Sequence, residues 1–136
     1  MNLNKETFTG FLTGTEKNKD ISNLSVVVVP SDFENVGNIV TEALVRRVPV
    51  IASTGTPWQE LETHQCGWWI NNDQESIDKT ILKAFEIGNK KRSQMGDNGK
   101  SLIRNKYSVE VVGKQMVKLY DWVLGKTEKP NFVYTY

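Results

Sequence analysis

The stretch SVVVVPSDFENVGNIVTEALVRRVPVIAS, residues 25–53, decides how the chain is organised. Residues 26–29 are four valines, ended by Pro30. An apolar, β-branched run of that kind suits a strand buried on both faces. A short loop carrying Glu34 and Gly37 follows. Ile39, Val40, Ala43 and Leu44 then recur at helical spacing, which gives a helix one apolar face. Residues 49–52 are a second apolar run. Two buried strands joined by a helix make a right-handed βαβ unit in a parallel sheet. The expected fold is therefore α/β, a Rossmann-like three-layer α/β/α domain with a parallel sheet. Ligands of such sheets bind where strands end and helices begin.

Two glutamates fall on that rim. Glu34 lies in the loop and Glu42 stands off the apolar stripe of the helix, with seven residues between them. With a helix starting near Gly37, Glu42 is about 7 Å further along, at a rise of roughly 1.5 Å per residue. Between the carboxylates sits a helix N-terminus, with unpaired N–H groups and about half a positive charge. Amides there suit a diphosphate, and a carboxylate on either side suits a hydroxylated ring. A nucleotide-sugar has that order of parts: sugar, diphosphate, ribose. A glycoside hydrolase also pairs two carboxylates, but a positive helix end between them suits an anion better than an oxocarbenium ion.

This Glu-x7-Glu stretch after a strand ending Pro30-Ser31 resembles the donor-binding domain of GT-B glycosyltransferases, chiefly family 4, glycosyl transferases group 1. The resemblance covers about residues 6–124 and implies one incomplete half of a GT-B fold. It implies that Glu34 contacts the donor sugar and acts in catalysis, and that Glu42 holds the ribose hydroxyls. It further implies that Asn35, Val36, Gly37, Asn38 and Ile39 present backbone to sugar and phosphate. Two places depart from the family pattern. Asn35 and Val36 stand where Gly and an aromatic are usual, and Arg47 stands where a glycine usually precedes the second strand. Asn tolerates the left-handed conformation, so Asn35 fits.

The rest of the resemblance concerns organisation. The acceptor-binding N-terminal domain and the opening βα unit of the donor domain have no counterpart in the sequence. Residues 1–124 are thus expected to be a donor domain lacking its first βα unit, and residues 125–136 a tail. The parent enzyme would transfer a sugar from a nucleotide-sugar to a hydroxyl acceptor with retention. A further motif runs Thr56-Pro57-Trp58-Gln59-Glu60-Leu61 and leads to Cys66-Gly67-Trp68-Trp69-Ile70. It resembles bacterial members that build surface polysaccharide such as lipopolysaccharide. The alternatives are a non-catalytic nucleotide-sugar-binding fragment and a GT-B-fold sugar-nucleotide epimerase relative.

Composition sets outer bounds. The chain has 136 residues, a formal charge of +1 and 38% hydrophobic residues, enough for one domain with one core. A neutral balance argues against a nucleic-acid surface. The one cysteine, Cys66, excludes an internal disulfide and fits a reducing compartment. No run approaches the roughly 18 apolar residues that span a bilayer. The opening residues have no apolar secretion region, so a cytoplasmic protein is expected. Peripheral association of the full enzyme with a membrane stays open. His64 and Cys66 lack companions at metal spacing, so neither a metal nor a resident cofactor is expected; the nucleotide-sugar is substrate.

The remaining segments read in order. Residues 7–12 alternate as a short strand bracketed by Gly10 and Gly14, and the resemblance places Gly10 near the diphosphate. Residues 15–23 read as a polar helix with Thr15 as cap and a solvated Lys17. Thr54 and Gly55 share the rim of Glu34 and border the sugar. Thr56 and Gln59 form a capping box with Pro57 at the first helical position. Trp58 reads as packing and His64 as structural. Residues 67–70 are a strand. Two further helices follow, with Gly88 between them and Lys90, Lys91 and Arg92 solvated. Ser108 caps a last helix, with Val109, Val112, Met116, Leu119, Tyr120 and Val123 inward, ended by Gly125. The tail is expected to be mobile or to pack on a neighbouring chain.

Overall fold

The apolar runs become three short parallel strands in the computed structural model, which describes residues 6–135. In chain order the elements are α1 (Gly14–Ser22), β1 (Val27–Val29), α2 (Asn38–Val45), β2 (Val50–Ser53), α3 (Glu60–Thr63) and β3 (Gly67–Ile70). Then come α4 (Gln74–Glu86), α5 (Gly88–Leu102), a π-helix (Ile103–Tyr107) and α6 (Val109–Val123). The sheet order is β1-β2-β3, with Val27 beside Val50 and Val50 beside Gly67.

Alternation along the strands builds two cores. Val27, Val29, Val50 and Ala52 face one side, with Val40, Ala43 and Leu44 of α2, Leu61 of α3, and Leu102. Val26, Val28, Ile51, Trp68 and Ile70 face the other, with Ile81 and Ala84 of α4 and Met95 of α5. Helices thus cover both faces, which is why the strands read as continuous apolar runs. The expected Rossmann-like α/β/α layering is what the chain adopts.

Helix ends fix the connections. Gly99 lets α5 come against α2, since a Cβ there would lie 2.7 Å from Leu44 Cδ2. At the end of α2, the Val48 N–H donates to the Ala43 carbonyl and the Arg47 N–H to the Leu44 carbonyl, each at 3.0 Å. That is a Schellman turn, whose pivot residue is normally glycine. Arg47 fills it with φ of 64° and pairs with Asp97 at 3.0 Å. The departure from the family glycine therefore leaves the turn in place.

Several expectations are corrected. Residues 7–12 form no strand; Phe8 and Phe11 are exposed, and no described strand supplies a ladder partner. Thr13, not Thr15, stands at the start of α1, without a side-chain capping bond. Thr56 and Gln59 do not form a capping box: α3 starts at Glu60, and the Thr56 hydroxyl donates to the Ser53 carbonyl at 2.8 Å. The loop's own bonds outcompete the local cap. Arg92 is not simply solvated, since it donates to the Ala84 carbonyl at the end of α4, at 3.1 Å. Ser108 does cap α6, accepting from the Val111 N–H at 3.3 Å. The apolar face of α6 is not inward: none of its residues is buried, and Val109 is 90% exposed. It packs mainly on the π-helix. Among the described residues, no helix is long and apolar enough to cross a membrane.

Candidate functional site

Two loops meet at the C-terminal edge of the sheet, one after β1 and one after β2. The Ser53 hydroxyl donates to the Ser31 carbonyl. The Glu34 N–H donates to the Gly55 carbonyl at 3.0 Å. The Trp58 indole N–H donates to the Val36 carbonyl at 2.5 Å. A Cβ at Gly55 would lie 2.3 Å from the carbonyl oxygens of Ser31 and Asp32, so only glycine allows this contact. From the β3 side, the Trp69 indole donates to the Thr56 carbonyl at 3.0 Å and Asn72 to Asp32 at 2.6 Å.

Glu34 and Gly37 come together here. Gly37 is buried at the start of α2 with φ of 67°, in the left-handed region. A Cβ on it would lie 3.1 Å from Glu34 Cγ, so the glutamate stem crosses the helix start. No side chain caps α2, which leaves its first-turn N–H groups without a side-chain acceptor. Such a helix end attracts anions.

Glu42 is anchored from a different element. Lys17 of α1 donates to its Oε1 at 2.7 Å, with both side chains about one-third exposed at 35% and 29%. Arg46 donates to the Glu42 carbonyl at 2.7 Å and to the Asn18 side chain. Lys17 is therefore a partner of Glu42, not a solvated lysine. The polar pattern of α1 hid this, because a surface lysine and a paired one look alike in sequence.

The other expected site residues divide. Asn35, Val36, Asn38 and Thr54 are exposed at the rim, and Gly55 is half-buried within it. Ile39 packs against the core, so only its backbone is offered to a ligand. Gly10 stands in an exposed segment with open space where a Cβ would be, and no described bond joins it to the rim.

A second polar cluster was not legible in the sequence. Glu60 accepts from Lys106 at 2.5 Å and from the Tyr107 hydroxyl. Burial pushes the Glu60 carboxyl up, but the Lys106 and Tyr107 bonds outweigh it, and the group ends below its ordinary value. The Tyr107 hydroxyl is pushed up by burial and by Glu60. The Tyr107 ring lies 5.4 Å from the Trp58 ring, tilted by 51°. Trp58 is 2% exposed, which makes it a packing residue as read. His64 ends α3 and its Nδ1 meets the Thr63 hydroxyl at 3.1 Å. Burial pushes the Cys66 thiol up to about 11, so it is an inert small hydrophobe. Among the described residues, no three His, Cys, Asp or Glu side chains gather as metal ligands. A polar hollow of about 460 Å³, lined by His64, Asn98, Ser101 and Lys106, lies off the rim and contains none of its residues.

Residues 1–102 match the sequence profile of Glycosyl transferases group 1. The chain belongs to that family. It is 27% identical over 118 residues to an uncharacterised glycosyltransferase of Methanocaldococcus jannaschii, covering 85% of this chain and 30% of that protein. It is 27% identical over 109 residues to the capsular polysaccharide biosynthesis glycosyltransferase CapM of Staphylococcus aureus, covering 79% and 28%. An α-1,3/1,6-mannosyltransferase of Schizosaccharomyces pombe is 25% identical over 96 residues, covering 70% and 19%. The chain thus spans less than a third of the length of these relatives. In fold it is similar to sucrose-phosphate synthase from Thermosynechococcus elongatus, with a TM-score of 0.70 at 24% identity, covering 79% of this chain and 27% of that one.

Proposed function

We propose that this chain is the nucleotide-sugar-binding part of a retaining glycosyltransferase that serves surface polysaccharide or glycan synthesis. The observation that carries the reading is the Glu34 stem lying across the uncapped, Gly37-led start of α2, in a chain of this family. The likeness to a capsular polysaccharide enzyme supports the pathway class. Glu34 takes the donor sugar. The amides of residues 37–39 take the diphosphate. Glu42 takes the ribose hydroxyls through Oε2, because Oε1 is held by Lys17.

In the transfer, the bond from the anomeric carbon to the diphosphate oxygen breaks. A bond from that carbon to the acceptor oxygen forms on the same face, and the acceptor hydroxyl's proton passes to the departing diphosphate oxygen. Negative charge grows on the leaving diphosphate, and in this reading the positive end of α2 stabilises it. A charge-assisted hydrogen bond contributes about 1.5–3 kcal/mol. Contacts of that size position the donor, and they accelerate transfer only where they tighten at the transition state.

Calorimetric titration with UDP-, GDP- and ADP-sugars tests the assignment. Glu42→Ala is expected to weaken both the free nucleoside diphosphate and the intact donor. Glu34→Ala is expected to spare the free nucleoside diphosphate and weaken only the intact donor. Wild-type binding of every ligand by both variants would reject these roles. Binding without turnover is the second reading, favoured because the matched part is under a third of each relative. Product assay with donor and acceptor present separates the two.

A further inference from the structure

The donor-site reading leaves Trp58 without a task beyond packing, yet its indole reaches the loop that would meet the sugar. Its N–H donates to the Val36 carbonyl at 2.5 Å, one residue before the left-handed Gly37. On its other side the ring lies against Tyr107, 5.4 Å away. Tyr107 is itself tied through Glu60 to Lys106. The loop it reaches has little burial of its own, with Phe33 81% and Val36 53% exposed. Side-chain burial therefore does little to hold residues 34–36. Their backbone is fixed by the Glu34 N–H on the Gly55 carbonyl at one end and the indole on the Val36 carbonyl at the other. Without the second bond, Gly37 reaches other φ values at little cost, and the first amides of α2 change direction.

We propose that Trp58 is a positioning residue that sets the loop of residues 34–37 for the sugar end of the donor, acting through the Val36 carbonyl. The inference rests on the donor-site reading above. It assigns no contact between Trp58 and the ligand, because the ring is 2% exposed. It predicts that the indole N–H matters to the sugar and not to the nucleotide, which reaches Glu42 further along α2.

The test is the ratio between affinities for an intact nucleotide-sugar and its free nucleoside diphosphate, measured by calorimetry on the chain and on Trp58→Phe. The replacement of Trp58 by benzothienylalanine is the second variant; it keeps the ring shape and puts sulfur in place of the N–H. Both are expected to cut the sugar's share of affinity by about five- to tenfold, the scale of one hydrogen bond, with the nucleoside diphosphate within about twofold. In the ligand-free protein, exchange of the Glu34 and Val40 amides, which are bonded to the Gly55 and Gly37 carbonyls, is expected to quicken while that of α4 does not. A structural role alone would lower the unfolding temperature and leave the ratio untouched. An unchanged ratio in the benzothienylalanine protein overturns the proposal whatever Trp58→Phe does. If the wild type itself gains nothing from the sugar, the donor-site reading fails first, and the proposal falls with it.

Discussion

The loops around Gly37 and Gly55 are cross-linked by the Ser53, Glu34 and Trp58 bonds, whereas α6 buries none of its residues. The rim is held by hydrogen bonds although Phe33 and Val36 are exposed. The two helices α2 and α6 both carry apolar side chains in regular patterns; that of α2 packs into the core, and that of α6 meets mainly the π-helix. The contrast shows what periodicity reports. It identifies a face that prefers burial, and it does not locate the surface that buries it.

The largest difference between the two regions is expected from a pair of core-type truncations. Leu44→Ala is expected to cost about 3–5 kcal/mol, because Leu44 is fully buried between α2 and α5. Met116→Ala in α6, where the side chain is 39% exposed, is expected to cost about 1 kcal/mol or less. Equal losses in urea unfolding would show that α6 belongs to the same cooperative core.

Glycine substitutions sharpen it further. Gly55→Ala is expected to cost about 2–3 kcal/mol, since its Cβ would strike two carbonyls at 2.3 Å. Gly113→Ala in α6 meets nothing within 4 Å, and is expected to gain about 0.5–1 kcal/mol of helix stability. Thermal unfolding of the two variants should move in opposite directions.

The Glu60 cluster links the regions, so its pH dependence is informative. Its folded carboxyl lies below the ordinary value of 4.5. Its stabilising contribution is therefore full above that value and is lost as pH falls through the folded one. Glu60→Gln is expected to cost about 0.5–1 kcal/mol at neutral pH, with the gap to wild type closing in acid. A gap that persists in acid would mean that the charge is not the cause. Lys106 and Tyr107 are shifted upward, so their contribution persists below their ordinary values and fades only in strong alkali.

The smallest effect is expected at Arg47. Arg47→Gly relieves the positive φ of 64° but removes the exposed pair with Asp97. A net gain of about 0.5 kcal/mol is expected from these opposed effects. A loss on guanidinium titration would give the ion pair the greater weight.

The order of the sheet, β1-β2-β3, follows the sequence, so the reversal that opens a crevice is not within it. Among the described residues β1 is an edge strand, and a reversal requires a further strand on its free side. The α2 start and the Glu34 stem lie together at the C-terminal edge of that sheet.

The amino-acid sequence by itself determined the three strands of the sheet, α2, α4 and the Ser108 cap. Those features rest on local spacing, and the buried valines have few other conformations available. It also marked Glu34, Gly37 and Glu42, because the glutamate spacing follows a strand and spans a helix start. Only the tertiary structure decided that Lys17 holds Glu42, that Trp58 reaches Val36, and that Thr56 serves the loop instead of a cap. The first two bonds join residues distant in sequence; the third is local, and the loop around Gly55 favours it over the cap. Their energies depend on which groups folding brings within about 3 Å, a distance that no periodicity encodes.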